Sequence, residues 1–122
     1  MNKNLVITAI IGALTIILGA FGAHALEESL NVNELKSFET AVRYQMFHVL
    51  ALLFINTYRG FNSNAKNTIS ILFFVGILFF SGSIYAITLG VNAKNIWFIT
   101  PIGGLLFIIG WLKIALSFNK NK

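Results

Sequence analysis

Cysteine is absent from the 122-residue sequence. Disulfides, thiolate metal sites and cysteine nucleophiles are therefore excluded. Aspartate is absent too, and the four acidic residues are Glu27, Glu28, Glu34 and Glu39. Charge of either sign is scarce: Asp, Glu, Lys and Arg make up 11% of the chain against 57% hydrophobic residues. A soluble domain carries about 25% charged residues, so this chain has too little charge to coat a water-facing surface. The mean hydropathy of +0.78 agrees. The net charge of +5 would suit nucleic acid, but no basic stripe with interleaved aromatics exists. No linker long enough to divide domains and no low-complexity tract occurs, so the length allows one domain.

What the chain does have is four long apolar runs. A spanning helix needs about 20 mostly apolar residues to cross a hydrocarbon core of about 30 Å. Runs over about 5–26, 38–58, 69–89 and 96–118 meet that need. They are continuous rather than alternating, which argues against barrel strands. In lipid the backbone must bond to itself, so such a run becomes a helix. The expected fold is an all-α membrane protein: one four-helix transmembrane bundle, antiparallel, up-down-up-down. The first run, with Lys3 before it and Ala23-His24-Ala25 at its end, has some features of a signal peptide. Its length exceeds the usual 7–15 residues of such a core, which favours a retained helix. Asn31 followed by Glu34 reads as a capping pair, so the second helix is expected to start near residue 33, ahead of its apolar part. Pro101 falls in the first turns of the fourth helix, where a missing N–H matters little.

Basic residues set the expected orientation. Lys3, Arg59, Lys66, Lys120 and Lys122 share one side, with Lys113 close by. Lys36, Arg43 and Lys94 share the other with all four glutamates. The positive-inside rule then places both termini in the cytoplasm of a plasma-membrane protein.

Helical rise converts position into depth. From the terminal side, His48 falls at about 15 Å, Arg43 at about 22 Å and His24 at about 28 Å. Ser81, Ser83 and Thr100 fall at about 18–24 Å on the same scale, with Tyr85 beyond them. Arg43, Tyr44, His48, Ser81, Ser83, Tyr85 and Thr100 thus share one half of the bundle, and the other half reads as almost purely apolar. Thr40, Tyr44 and His48 step by four along one face, and Glu39 and Arg43 are spaced for an ion pair at the interface. His24 and Glu39 read as interfacial. His48 has a plain structural reading, a neutral ring bonded to Ser81, Tyr44 or a backbone carbonyl. Arg43 has one too, snorkelling to phosphates. Two histidines separated by about 13 Å in depth do not make a metal site. Gly12, Gly19, Gly22 and Ala23, then Gly82 and Ala86, then Gly103, Gly104 and Gly110 read as packing positions. Small residues let helix backbones approach closely where no hydrophobic drive separates helix from lipid. A homo-oligomer seam or a contact to a larger membrane complex is the other use of the same pattern.

Several segments together resemble a known family. These are Gly19-Ala20-Phe21-Gly22-Ala23-His24-Ala25, Thr40-Ala41-Val42-Arg43-Tyr44-Gln45-Met46-Phe47-His48, Ser81-Gly82-Ser83-Ile84-Tyr85, Thr100-Pro101-Ile102-Gly103-Gly104 and Gly110-Trp111. In order and over nearly the whole chain, they resemble the YgdD/YwdK-like family of small four-span bacterial membrane proteins. The resemblance implies the four-span architecture and a retained first helix. That family is one of unknown function, so no reaction, cofactor or catalytic residue comes with it.

The residues favour a non-enzymatic binding or accessory protein of the membrane. Its polar pocket would take a lipid, a quinone-like ligand or a partner helix, with membrane lipids as partners and no cofactor. The alternative is a proton-coupled small transporter or channel subunit using His48. That reading lacks an embedded carboxylate and a continuous polar path. A hydrolase is the least favoured class: Ser81 or Ser83 beside His48 would have no orienting acid.

Overall fold

The structure, a computed structural model, describes residues 2–120. Lys122 and the side chains of Ala23 and Lys120 lie outside the described set. The first helical rod runs without interruption through α1 (Asn2–Ile16), a π-helical turn (Ile17–Gly22) and α2 (Ala23–Leu26). A short turn leads to α3 (Val32–Thr57), and a second turn to α4 (Ser63–Thr88). After α5 (Ala93–Ile96) the chain re-enters as α6 (Ile99–Lys120). Among the described residues there is no strand.

Local chemistry sets these boundaries. Asn31 and Glu34 form the expected capping box: the Asn31 side chain accepts from the Glu34 N–H at 2.8 Å, and the Asn31 N–H donates to Glu34 Oε1 at 2.9 Å. The two bonds satisfy N–H groups that a helix start leaves free. Helix α4 begins six residues before its apolar run, because the Asn62 side chain accepts from the Ala65 N–H at 2.8 Å and starts the helix in polar sequence. It ends at Gly90, whose φ of 118° is a conformation open to glycine. The fourth apolar run does not form one helix from residue 96. Pro101 lacks an N–H, and its ring would strike the carbonyl of residue 97. The helix accordingly breaks at Trp97 and Phe98 and restarts at Ile99. The first run departs further from expectation. Its sequence predicts an uninterrupted α-helix, yet Ile17–Gly22 widens into a π-turn. Two glycines in six residues weaken the α-helical preference at this point.

Successive long helices run antiparallel. Helix α4 packs most extensively on α6 and next on α3, while α1 packs principally on α3. Two seams explain the fit. Along α4 and α6, an added Cβ on Gly103 would lie 2.3 Å from the Phe80 backbone nitrogen. On Gly110 it would lie 2.4 Å from the Phe73 ring, and on Gly76 2.7 Å from the Phe107 ring. Phenylalanines seven residues apart on α4 thus seat on glycines seven apart on α6, and Phe107 returns the contact. Along α1 and α3, Gly12 faces Val49 and Gly19 faces Val42, again at a spacing of seven, and Gly22 faces Phe38. A seven-residue repeat keeps a seam in contact between antiparallel rods. Gly76 was not anticipated as a packing position. Gly82 and Gly104 do not act as such here: a Cβ on Gly82 would meet only Leu78 of its own helix at 3.7 Å, and one on Gly104 only Phe80 at 3.9 Å.

The apolar core lies between α3, α4 and α6 and includes Leu52, Ile55, Ile69, Phe73, Ile77, Phe107 and Ile114. Outside it, large apolar side chains such as Val6, Ile10, Phe47, Leu50, Ile71, Leu78, Ile108 and Leu112 stand exposed along the rods. Water would expel such a surface, and acyl chains accept it. Three segments are long and apolar enough to cross a membrane: Lys3–Leu26, Ser63–Thr88 and Ala93–Asn119. Helix α3, 26 residues long, is the more polar one because Arg43, Gln45, His48 and Asn56 lie within it. The molecule is an all-α membrane bundle of four rods. We call the side bearing residues 27–31 and 89–98 the acidic face, and the side bearing both termini the terminal face.

Candidate functional site

Every polar side chain buried in the bundle needs a partner, since lipid supplies none. Among the described residues no buried side-chain nitrogen or oxygen lacks one. The partners fall into separate clusters rather than the one site expected from depth.

His48, 4% exposed, sits where α3 meets α6. Its Nδ1 lies 2.7 Å from the Tyr44 carbonyl oxygen, and Trp111 Nε1–H donates to its Nε2 at 3.0 Å. A carbonyl only accepts and an indole N–H only donates. The ring is therefore neutral, with its proton on Nδ1 and a lone pair on Nε2. A second proton at Nε2 would face the indole N–H head-on. Phe107 stacks on the imidazole at 3.7 Å between centroids, and Phe73 meets it edge-on at 4.8 Å. Tyr44, stacked on Phe80 at 5.0 Å, continues this aromatic wall. The two helices do not close over it. A lateral groove of about 560 Å³ remains, lined by Tyr44, His48, Phe80, Gly104, Phe107 and Trp111 among others.

A second cluster ties three rods together. Gln45 Nε2 donates to Thr15 Oγ1 at 2.8 Å, and Tyr85 Oη donates to Gln45 Oε1 at 2.7 Å. One amide of α3 thus joins α1 to α4. Beside it, an apolar crevice of about 460 Å³ runs between α1 and α4, with Gly82 and Tyr85 in its wall. Ser81 does not serve His48: its hydroxyl donates to the Ala41 carbonyl at 2.7 Å where α3 and α4 cross, and it lies beside the Tyr85 hydroxyl of this cluster. Ser83 donates to the Phe80 carbonyl and contacts the Thr100 hydroxyl, joining α4 to the start of α6. Neither serine touches His48.

The half of the bundle toward the terminal face is not purely apolar, contrary to the sequence reading. Asn56, 6% exposed, donates to Ser70 Oγ and to the Leu52 carbonyl, both at 2.9 Å. Asn4 donates to Asn56 Oδ1 at 3.1 Å and to Asn67 Oδ1 at 3.0 Å. Depth counting from ionisable and aromatic groups overlooked Gln45, Asn56 and Trp111. The available signal was an amide within a spanning run, which always requires an interhelical or backbone partner.

The expected Glu39–Arg43 ion pair does not form. Among the described residues the one acid–base contact within 4.0 Å is His24 to Glu27 at 3.7 Å, exposed on the acidic face. Arg43 is exposed on the opposite side of α3 from the His48 groove, in a cleft of about 410 Å³ with Gly19, Phe38, Glu39 and Val42. A lone cation carried by a spanning helix costs about 2.5–3.5 kcal/mol at the bilayer centre and less near headgroups. Thr40 points into neither groove. Among the described residues no three metal-ligating side chains gather.

Comparison with known proteins gives a uniform answer. A family model described as "Protein of unknown function (DUF423)" matches residues 18–104. A UPF0382 membrane protein of Staphylococcus saprophyticus is 46% identical over 112 residues, covering 88% of this chain and 92% of the relative. A UPF0382 membrane protein of Haemophilus influenzae is 41% identical over 123 residues, covering 99% and 97%. The UPF0382 inner membrane protein YgdD of Escherichia coli is 36% identical over 115 residues, covering 88% and 82%. No solved structure matches. With a matching family model across most of its length and relatives aligned nearly end to end, the chain belongs to the DUF423 family of multi-pass membrane proteins, a family of unknown function.

Proposed function

We propose that the protein is a non-enzymatic binding or accessory protein of the cell membrane, and that the lateral groove between α3 and α6 holds a flat, ring-bearing lipid of the quinone type. The observation that carries this reading is the state of the polar groups around the groove. His48 is spent on Tyr44 and Trp111, so it anchors the wall and offers nothing to a ligand. Among the described residues the Tyr44 hydroxyl makes no hydrogen bond, and Tyr44 is 39% exposed. An aromatic slot with one free hydroxyl suits a planar ring that carries a carbonyl acceptor. The groove opens sideways, where a lipid-dissolved molecule would arrive. The commitment of both His48 nitrogens weighs against the proton-coupled transporter. The engagement of Ser81 and Ser83 elsewhere weighs against a hydrolase. Lys3, Arg59, Lys66 and Lys113 toward the terminal face support a cytoplasmic placement of both termini.

Trp111 lines the groove and reports on it. In a Trp97→Phe background reconstituted in phosphatidylcholine nanodiscs, a short-tailed ubiquinone analogue should quench Trp111 fluorescence saturably. Tyr44→Phe should weaken that binding about five- to tenfold, the worth of one hydrogen bond. Gly104→Leu, which has room to project into the groove, should abolish it. Quenching that rises linearly with quinone and ignores Gly104→Leu would remove the ligand reading.

A further inference from the structure

Arg43 and Glu39 remain without a use in the bundle. They stand one helical turn apart on α3, at a spacing that brings side chains together, yet no oxygen of Glu39 lies within 4.0 Å of the Arg43 guanidinium. Both line one cleft of about 410 Å³, closed on the other side by Gly19 of the π-turn and floored by Phe38 and Val42. Gly19 is held there by contact: an added Cβ would lie 3.1 Å from Val42. The absence of a side chain lets the two rods touch while leaving the cleft open. The π-turn itself, Ile17–Gly22, brings no charge to it. Lys36 and His24 are not among the residues lining the cleft. In a helix the Cα–Cβ bonds lean toward the N-terminus. For α3 that is the acidic face, so Arg43 is carried from the hydrocarbon toward the headgroups, with Glu39 ahead of it.

We infer that this cleft is a binding site for one zwitterionic aminophospholipid of the acidic-face leaflet, its phosphate on Arg43 and its primary ammonium on Glu39. An anionic headgroup satisfies Arg43 and is repelled by Glu39. A choline headgroup satisfies the charges but has no N–H to donate to the carboxylate. A phosphoethanolamine group carries both complementary charges and both kinds of hydrogen bond. Its acyl chains run from Arg43 toward the bilayer centre, past Met46 and the exposed Leu50 further along α3. The site is on the other side of α3 from the His48 groove, and the inference stands apart from the ligand proposed there.

The test is lipid retention by the intact protein. Purified protein is exchanged into mixed micelles with equimolar phosphatidylethanolamine, phosphatidylcholine and phosphatidylglycerol of identical chains, and bound lipid is read by native mass spectrometry. Wild type should retain phosphatidylethanolamine at least about tenfold over either competitor, the ratio one charge-assisted hydrogen bond supplies. Glu39→Gln should move the preference to phosphatidylglycerol, and Arg43→Gln should lower retention of all three. Both side chains are exposed, so folding is checked by monodispersity and helical circular dichroism, with Arg43→Lys as the charge-retaining control. Equal retention of the three lipids by wild type overturns the inference. An ethanolamine preference that survives Glu39→Gln overturns it as well. The Trp111 quenching of Glu39→Gln reports on the other groove, so the two proposals fail separately.

Discussion

At the residue scale, His48 is a structural pivot whose protonation state is set by its two neighbours. An imidazole that accepts from Trp111 and donates to the Tyr44 carbonyl has one allowed tautomer. Long-range nitrogen–proton NMR on histidine-labelled protein in micelles should show a protonated Nδ1 and a bare Nε2. Trp111→Phe removes the donor to a buried acceptor, and should lower stability by about 1–3 kcal/mol in denaturant titration. Finding the proton on Nε2 would refute the assignment. A second residue-scale expectation separates two adjacent glycines. Gly103→Ala pushes a methyl into the Phe80 backbone, which cannot yield as a flexible side chain does. It should destabilise the bundle by about 1–3 kcal/mol, as overpacking does. Gly104→Ala, with its nearest neighbour at 3.9 Å, should be nearly silent in the same melt.

At the element scale, α1 is held to α3 by three kinds of contact. The Gly12–Val49 and Gly19–Val42 seam fixes spacing, Gln45 to Thr15 fixes depth on one side, and Asn4 to Asn56 fixes it on the other. Gly12→Leu should lift α1 from α3 and cut both polar links. The variant's midpoint in denaturant titration should fall accordingly. Much of this organisation was legible in the residues themselves. The four runs, the Asn31–Glu34 cap and the small-residue surfaces followed from composition and spacing, because each depends on local chemistry. The π-turn and the early start of α4 did not. The first needs, beyond the two local glycines, the packing register against Val42 and Phe38, which lie on another helix. The second rests on a single capping asparagine inside a polar stretch that reads as loop. Depth counting put Arg43, Tyr44, His48, Ser81, Ser83, Tyr85 and Thr100 in one half of the bundle and so suggested a shared pocket. Depth says nothing of azimuth, and the structure distributes them among three helix–helix contacts and the Arg43 cleft.

At the scale of the whole molecule, the chain's lack of cysteine makes orientation directly measurable. Single cysteines at Asn64, in the first turn of α4, and at Asn92, in the turn before α5, lie at opposite faces. In intact cells a membrane-impermeant maleimide should label the Asn92→Cys protein. It should reach the Asn64→Cys protein only after the membrane is opened. The reverse pattern would invert the orientation proposed from the basic residues. Together with the separate lateral openings on α3, a cytoplasmic placement of the termini would leave the acidic face as the one exposed to the cell exterior.

The self-bonded hydroxyls of α1 have a consequence for how the protein is made. Thr8 and Thr15 each donate to a carbonyl one turn back in the same helix, Asn4 and Ile11. Helix α1 can therefore enter the lipid with these two alcohols already quenched. The segment behind it is different: the amides of Gln45 and Asn56 find most of their partners on rods synthesised before and after. Those two amides are fully partnered only once the third rod stands beside them.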